Sequence, residues 1–322
     1  MKAAVYYETG GPDVFRYEEV ADPICQPHEL LYRVEAVSIE GGDTLNRLGG
    51  ALESIPHIVG YQAAGTVLEV GGLVSGFSVG DRVVATGTHG SHAELRTVGA
   101  SFCWKIPEGL DTNIAACVPI AFGTAHDSLF EFGMLQAGEH VLVHAGASGV
   151  GLAAIQLAKR AGATVYATAS SNDRLDRLKD FGLDHGINYA EVDFETAIRE
   201  LTGGRGVDVV VDSIGGPTLQ KSLRTLAYRG RCISFGDAGR EGTDKFDIST
   251  LRGNNQRLIG YFLGAELFMG TRAYDMISTL LDDVARGELQ VVIDQTFSLQ
   301  AAGEAHAYIE DRLAFGRVVL VP

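Results

Sequence analysis

The sequence predicts an α/β protein in which a doubly wound parallel-sheet domain is inserted into a mainly β domain. Three observations support this fold class: residues 1–115 form short alternating segments, residues 116–254 alternate strands with helices, and residues 140–151 join a buried strand to a helix through a glycine-rich turn. We expect residues 1–115 and 255–322 to form one domain and residues 116–254 the inserted one.

The first 115 residues contain several short segments bounded by glycine, which predicts a many-stranded, barrel-like unit. The predicted strands cover residues 2–7, 15–20, 29–37, 65–70, 81–85, 92–98 and 102–106.

From about Asn113 the hydrophobic period becomes helical, and strands and helices then alternate as in a doubly wound parallel sheet. We predict helices over residues 114–133, 150–161, 172–181, 193–201 and 217–228. The predicted strands are residues 141–144, 164–168, 186–188, 207–212 and 231–235. Beyond residue 254 we predict a strand at 258–263, a helix at 273–287 and strands near 295 and at 318–321 that return to the first domain.

The composition is that of a globular chain, with 46% hydrophobic and 21% charged residues among 322. A net charge of −15 argues against nucleic acid or an anionic membrane surface as the main partner. The sequence shows no signal peptide and no apolar run that would span a bilayer, and its four cysteines are scattered, so we expect a cytoplasmic protein.

The glycine-rich turn predicts a nucleotide site. In the G-x-G-x-x-G register its positions are Gly146, Ser148 and Gly151, so a serine replaces the second glycine. With Gly149 and Val150, these residues place small side chains and free helix N–H groups where a pyrophosphate would bind. An ordinary strand-to-helix turn is the alternative interpretation.

The end of the second predicted strand indicates which cofactor is bound. An NAD site usually has an acid there for the ribose 2′-OH, whereas this chain has Ser170, Ser171 and then Arg174. Hydroxyl and guanidinium groups suit a 2′-phosphate, which predicts NADPH. The alternative is a solvated helix start capped by Ser171 or Asn172, and Asp173 would weaken the pocket if it pointed inward. Ser213 and Gly236 end two further strands at the sheet edge that the cofactor would cross.

Several stretches of the chain resemble the medium-chain dehydrogenase/reductase superfamily, in its zinc-free, zeta-crystallin-like quinone oxidoreductase branch. The matching stretches are residues 55–65, 79–83, 145–151, 206–216 and 316–320. The resemblance implies a Rossmann domain inserted in a GroES-like substrate domain, with Arg174 and Tyr189 flanking the 2′-phosphate. It also implies that Thr124 lies near the nicotinamide amide and that Phe262 belongs to the segment flanking the cofactor.

The zinc ligands of zinc-dependent relatives are missing from this sequence. Residues 38–43 contain no cysteine, residues 60–62 lack the His-Glu pair, and no cysteine cluster follows Val83. We therefore predict no metal site and interpret His57, His89 and His92 as loop histidines.

By resemblance, residues 39–47 lie beside the nicotinamide and the substrate, and the chain departs from the family pattern there. Glu40-Gly41 replaces Asn-Phe or Asn-Pro, Leu45 replaces tyrosine, and Gln62 stands where an acid is common. Glu40 is either a carboxylate that orients the substrate or donates a proton, or an exposed acid at the start of a glycine loop. Asp43 is a candidate acid or, alternatively, a cap for the following helix. Glu40, Asp43 and Gln62 are the candidate substrate-side residues.

We therefore predict an NADPH-dependent, zinc-free oxidoreductase that transfers hydride to a small quinone or α,β-unsaturated carbonyl. Apolar residues at 258–262 could pair as edge strands, so we expect a homodimer. An enoyl-thioester reductase of the same fold and a nucleotide-binding protein with little catalysis are the alternatives.

Overall fold

The computed structural model describes residues 1–242 and 247–322 and divides into two compact units. The first unit comprises Met1–Ile120 and Gly270–Pro322, and the second comprises Ala121–Met269. The α/β fold class is confirmed, with a mainly β unit interrupted in sequence by a parallel-sheet unit.

The amino-terminal part of the first unit carries most of its strands. They are β1 (Lys2–Val5), β2 (Arg16–Glu19), β3 (Glu29–Ser38), β4 (Gln62–Val70), β5 (Arg82–Thr86), β6 (Leu95–Gly99) and β7 (Cys103–Lys105). Its helices are α1 (Gly41–Gly49) and α2 (Thr112–Ala116), and α3 (Pro119–Leu129) crosses the boundary between the units. Short 3-10 turns occupy Pro12–Val14 and Ala100–Phe102.

The second unit alternates strands and helices. Its strands are β8 (His140–Val143), β9 (Thr164–Ala169), β10 (His185–Asn188), β11 (Val207–Asp212), β12 (Leu226–Ser234) and β13 (Arg257–Gly260). Its helices are α4 (Gly149–Arg160), α5 (Asn172–Lys179), α6 (Phe194–Leu201), α7 (Gly216–Arg224) and α8 (Leu263–Met269), with a 3-10 turn at Ile248–Leu251.

The carboxyl-terminal part completes the first unit with α9 (Arg272–Ala285), β14 (Ile293–Ser298), α10 (Ala302–Glu310) and β15 (Arg317–Val321). A 3-10 turn at Leu299–Ala301 precedes α10. In the seven-stranded sheet the order is β14-β15-β3-β4-β5-β7, and β6 pairs with β3 outside this path. β15 is antiparallel to β3, which places Val319 opposite Ser38 although they are far apart in sequence.

The sheet of the second unit has the order β10-β9-β8-β11-β12-β13, and each of these pairings is parallel. Strand order therefore reverses next to β8, which is the switch point where doubly wound sheets bind ligands. All six residues of β11 are buried, as expected for a central strand covered on both faces.

The structure differs from the sequence-based expectation at several element and unit boundaries. The predicted helix over residues 114–133 is two helices, because Pro119 has no N–H to continue α2 and instead begins α3. The predicted helix over residues 217–228 ends at Arg224, and β12 begins at Leu226. The unit boundaries lie at 120/121 and 269/270 rather than 115/116 and 254/255, since β13 joins the parallel sheet and α8 also belongs to the second unit.

Candidate functional site

The glycine-rich turn joins the carboxyl end of β8 to the amino end of α4. Ser148 is the N-cap of α4, and its Oγ accepts a hydrogen bond from the Gly151 N–H at 3.0 Å. The Gly146 N–H donates to the carbonyl oxygen of Thr168 at 2.9 Å, which ties the turn to β9. The Ser148 hydroxyl thus satisfies one of the helix's orphan N–H groups itself, while the rest of the amino terminus keeps its partial positive charge.

The glycines of the turn are required by close packing. A Cβ at Gly146 would lie 2.9 Å from the Ala167 Cβ, and a Cβ at Gly151 would lie 2.3 Å from the Ala145 carbonyl oxygen. Gly149 and Val150 are the first two residues of α4. The five residues predicted to bind phosphate therefore occupy one strand-to-helix turn: Gly146, Ser148, Gly149, Val150 and Gly151.

The end of β9 carries the residues expected to read the adenosine ribose. Ser171 is the N-cap of α5, and its side chain accepts from the Arg174 N–H at 3.4 Å. β10 runs beside β9, and the Tyr189 N–H donates to the Ala169 carbonyl oxygen at 3.1 Å. Ser170, Ser171, Arg174 and Tyr189 therefore lie just beyond the carboxyl ends of β9 and β10, where Tyr189 is 45% exposed.

Carboxylates also lie near this edge. Asp173 is exposed, and Asp176 pairs with Lys179 at 2.7 Å. A third acid, Glu191, was missed by the sequence analysis: the Asn172 side chain donates to both of its carboxylate oxygens, at 3.2 and 3.4 Å. The amide of Asn172 thus holds this carboxylate beside the amino terminus of α5.

The carboxyl ends of β11 and β12 lie next to each other, beside the switch point. The Ala238 N–H donates to the Ser213 carbonyl oxygen at 3.0 Å. A Cβ at Gly236 would lie 2.7 Å from the same oxygen, so this position admits only glycine without movement. Ser213 and Gly236 are therefore neighbours at the carboxyl edge of the sheet, as predicted from their position after each strand.

A buried polar chain beneath this edge was not predicted. His144 Nδ1 lies 3.1 Å from the Thr168 Oγ1, and its Nε2 lies 2.9 Å from the Ser222 Oγ. Ser222 donates to Asp212 Oδ2 at 3.0 Å, and Asp212 Oδ1 accepts the Ile214 N–H at 2.9 Å. The usable sequence signal was a polar residue next to the end of β9 (Thr168), at the end of β11 (Asp212) and directly after β8 (His144). Burial lowers the pKa of His144, so the imidazole in this hydrogen-bonded series is neutral at neutral pH.

Two remaining candidate cofactor residues lie on other elements of the second unit. Thr124 is a buried residue of α3. Phe262 follows β13 and is 72% exposed, whereas the preceding Tyr261 is buried and donates its hydroxyl to Asp127 Oδ2 at 3.0 Å.

Glu40 is buried in the first unit, so the expectation of an exposed acid was wrong. It precedes α1 as its N-cap, and only 3% of the residue is exposed. Its Oε1 accepts hydrogen bonds from Gln62 Nε2 at 3.0 Å, from Ser38 Oγ at 3.2 Å and from the Arg317 guanidinium. Burial raises the pKa of Glu40, while Arg317 and Ser38 act in the opposite direction.

Gln62 and Asp43 complete this cluster. The Gln62 Oε1 accepts the Ile120 N–H at 2.8 Å, so both ends of its amide are bonded. Asp43 Oδ2 accepts the Glu40 N–H at 2.9 Å, which is the capping role considered for this residue. Burial raises the pKa of Asp43 to about 8.

Tyr61 belongs to the same cluster, although the sequence analysis did not select it. Its ring lies against the first turn of α1: a Cβ at Gly42 would be 2.7 Å from the Tyr61 hydroxyl oxygen. Burial and the nearby Asp43 and Glu40 carboxyls raise the pKa of Tyr61, while Arg317 and the Gly42 amide act in the opposite direction. An aromatic residue directly before Gln62 was the available signal.

Within residues 1–242 and 247–322, no group of three or more His, Cys, Asp or Glu side chains is arranged to hold a metal ion. Of the predicted loop histidines, His92 is paired through its Nε2 with His306 Nε2 at 3.0 Å. His57 and His89 have ring centroids 5.8 Å apart. In the same described ranges, no helix combines the length and apolarity needed to cross a bilayer.

Both units match families of known proteins. Residues 26–108 match the family model of the alcohol dehydrogenase GroES-like domain, and residues 149–285 match that of zinc-binding dehydrogenases. A 2-haloacrylate reductase from Burkholderia sp is 34% identical, over 100% of this chain and 99% of that protein. A quinone oxidoreductase from Pseudomonas aeruginosa is 33% identical, over 97% of each chain.

Among solved structures, Escherichia coli quinone oxidoreductase complexed with NADPH superposes with a TM-score of 0.94. Its sequence is 28% identical, and the match covers 100% of both chains. Whole-chain similarity, the parallel sheet and the glycine-rich turn after β8 agree, and the chain therefore belongs to the medium-chain dehydrogenase/reductase superfamily, in its quinone oxidoreductase branch.

Proposed function

We propose that this protein is a reductase that transfers hydride from NADPH to a quinone or an α,β-unsaturated carbonyl compound, without zinc. The observation that carries the choice of cofactor is the end of β9, where Ser170, Ser171 and Arg174 stand in place of an acid. The relatives named for quinone and 2-haloacrylate reduction, and the neighbour complexed with NADPH, support the reaction class.

The residues of the second unit fit a dinucleotide. The amino terminus of α4 offers N–H groups and a positive dipole to the pyrophosphate, while a side chain at Gly146 or Gly151 would clash with the turn. Ser170, Ser171, Arg174 and Tyr189 would hold the 2′-phosphate, and Ser213 and Gly236 would flank the cofactor beside the switch point. Thr124 would lie near its nicotinamide amide, and Phe262 would belong to the segment that flanks the cofactor.

NADPH supplies the hydride, and the protein orients the acceptor and excludes water. We assign the substrate side to the start of α1 and of β4, where Glu40, Asp43 and Gln62 lie. Their hydrogen bonds support a positioning role, in which the Glu40–Arg317 pair holds the amino end of α1 against β15.

A panel of acceptors tests the reaction class. We expect NADPH oxidation with quinones, short enones or 2-haloacrylates, and slower oxidation with enoyl thioesters of coenzyme A. Preference for the thioesters would favour the enoyl-thioester alternative. Tight NADPH binding without turnover of any acceptor would instead favour a nucleotide-binding protein with little catalysis.

Replacement of Arg174 tests the assignment of the 2′-phosphate site. Arg174→Ala should weaken NADPH binding by about 10–100-fold, a loss of about 1.5–3 kcal/mol for a charged hydrogen bond, and should leave NADH binding nearly unchanged. Arg199→Ala is the matched control, because Arg199 lies on α6 and pairs with Glu195 at 3.0 Å. Fluorescence titration measures both affinities, and equal losses for the two cofactors would contradict the assignment.

We also propose that the protein is a cytoplasmic homodimer. β13 is the last strand on one side of the parallel sheet, and it presents half-buried Leu258 and Ile259. An open strand edge of this kind can pair with a second copy across a two-fold axis. The four free cysteines support a reducing compartment.

A further inference from the structure

Glu40, Asp43 and Gln62, which we assign to the substrate side, already make most of their contacts within the first unit. Glu40 is 3% exposed and Gln62 is 0% exposed. Glu40 Oε1 is shared by three donors, and both ends of the Gln62 amide are bonded, to Glu40 and to the Ile120 N–H. Glu40 Oε1 and the Gln62 amide oxygen are therefore committed to contacts within the cluster.

Asp43 is equally enclosed. It is 0% exposed, and its Oδ2 caps α1 by accepting the Glu40 N–H at 2.9 Å. Its Oδ1 has no hydrogen-bond partner in the part of the chain that the structure describes, but this atom is itself buried. A substrate oxygen that remained outside the core would not reach it.

Tyr61 differs from these residues because it is partly exposed and its phenol O–H can still donate a hydrogen bond. The residue is half-buried, and its ring covers Gly42 on the first turn of α1. Its oxygen lies against Gly42, whose N–H is one of the groups that the helix leaves unpaired at its amino terminus, so the oxygen is placed to accept from this N–H. The hydroxyl hydrogen then remains available to an acceptor outside the cluster.

We infer that the Tyr61 hydroxyl donates the hydrogen bond that binds the substrate oxygen during hydride transfer. This inference rests on the proposed function and names the residue that would contact the acceptor. Leu45, where many relatives have tyrosine, leaves α1 itself without a phenol.

The chemistry of the proposed acceptors needs such a donor. When hydride adds to the electron-poor carbon, the π-electron pair moves to the carbonyl oxygen, and a hydrogen bond there stabilises the developing negative charge. Water that enters after hydride transfer supplies the proton that completes the reduction. The phenol of Tyr61 is protonated at neutral pH, with its pKa raised further by burial, and its place against the positive end of α1 polarises it toward donation.

Replacement of the phenol tests the inference directly. Tyr61→Phe should lower kcat about 100-fold with the best acceptor, as expected for loss of one oxyanion donor, and should leave the dissociation constant of NADPH and the melting temperature unchanged. Tyr7→Phe is the matched control, because Tyr7 is an exposed phenol of the same unit bonded to Glu18 at 2.8 Å. This variant should retain the wild-type kcat.

A second variant moves the phenol without removing it. A Cβ at Gly42 would lie 2.7 Å from the Tyr61 oxygen and 3.0 Å from its Cε1, so Gly42→Ala must displace the ring. Alanine favours a helix more than glycine does, yet kcat should fall at least 10-fold. Gly49→Ala, on the same helix with open space around the added Cβ, should leave kcat unchanged.

The outcomes separate this inference from the proposed function. Turnover by the wild type, with kcat reduced in both Tyr61→Phe and Gly42→Ala, supports both. Turnover by the wild type with an unchanged kcat in Tyr61→Phe overturns the role of Tyr61 and leaves the reductase function standing. If kcat, NADPH affinity and melting temperature all fall in Tyr61→Phe, Tyr61 has a structural role and the inference is also overturned. No turnover of any acceptor by the wild type overturns both.

Discussion

The Glu40–Arg317 pair shows how burial changes the contribution of a charged residue to the stability of the fold. Both side chains are less than a tenth exposed, and the guanidinium also donates to the Ser38 Oγ at 2.6 Å and to the Ile39 carbonyl oxygen at 2.8 Å. Taking two charges out of water is unfavourable, and their mutual attraction offsets this only while both partners remain.

Glu40→Gln should therefore destabilise the protein by about 3–5 kcal/mol, because it leaves the Arg317 charge buried without its counter-ion. The matched control is Glu195→Gln, which breaks exposed pairs with Arg199 and Arg224 and should cost less than about 1 kcal/mol per pair. Urea unfolding measures both values. A loss for Glu40→Gln no larger than that of the control would contradict this account.

Asp43 should make stability depend on pH. Its pKa is about 8 in the folded chain and 3.8 in the unfolded chain, so between these values the folded state holds a proton that the unfolded state has lost. The Asp43 contribution to the free energy of unfolding should therefore decrease as pH rises from about 4 to 8, and it should then level off.

Asp43→Asn removes this titration while keeping an oxygen to cap α1. The difference in free energy of unfolding between variant and wild type should grow in favour of the variant as pH rises from 5 to 8, reflecting the shifted pKa of Asp43. Denaturant unfolding at several pH values gives that difference. Parallel pH profiles for the two proteins would show that the Asp43 pKa is not raised.

At the scale of elements, the amino terminus of α4 is capped by one hydroxyl, that of Ser148. Ser148→Ala removes the cap on the Gly151 N–H and should destabilise the protein by about 1 kcal/mol. The freed N–H can bond to a phosphate instead, so NADPH affinity should change less than threefold, or about 0.6 kcal/mol. Asp111→Ala removes the cap of α2, which is not among the residues assigned to the cofactor, and serves as the comparison. A large loss of NADPH affinity in Ser148→Ala alone would show that the hydroxyl itself contacts the cofactor.

The elements also show which parts of the fold a sequence pattern can predict. The apolar run of β8, the small residues after it and the helical repeat of α4 are local signals, and the structure has all three within a few residues of the predicted bounds. The break between α2 and α3 comes from Pro119, and the early start of β12 comes from its pairing with β11; the hydrophobic period reports neither, so it placed both incorrectly.

At the scale of the whole molecule, the edge of β13 gives a test of the dimer. The Tyr261 N–H donates to the Ser234 carbonyl oxygen of β12, and alternation along the strand then directs the Gly260 N–H away from β12. Gly260→Pro should remove this donor and shift the mass measured by light scattering toward 34.3 kDa, the mass of one chain.

Gly260→Ala is the matched control, because a Cβ there has open space and the N–H is retained. It should keep the dimeric mass. A wild-type protein of 34.3 kDa, or an unchanged dimer in Gly260→Pro, would contradict pairing through this edge.

The sequence by itself determined the features that neighbouring residues specify. These are the two classes of unit, the turn at residues 145–151 and the missing acid after β9, since hydrophobic period, turn chemistry and spacing along the chain are local properties.

Only the tertiary structure decided the partners of the buried polar groups. Glu40 meets Arg317 from a strand 277 positions further along, and His144 meets Ser222 across 78 positions. Such pairings depend on which strands lie side by side and on how completely each group loses water, and no pattern among neighbouring residues carries that information. The same reason explains why the sequence left an exposed Glu40 open as an interpretation and passed over Tyr61.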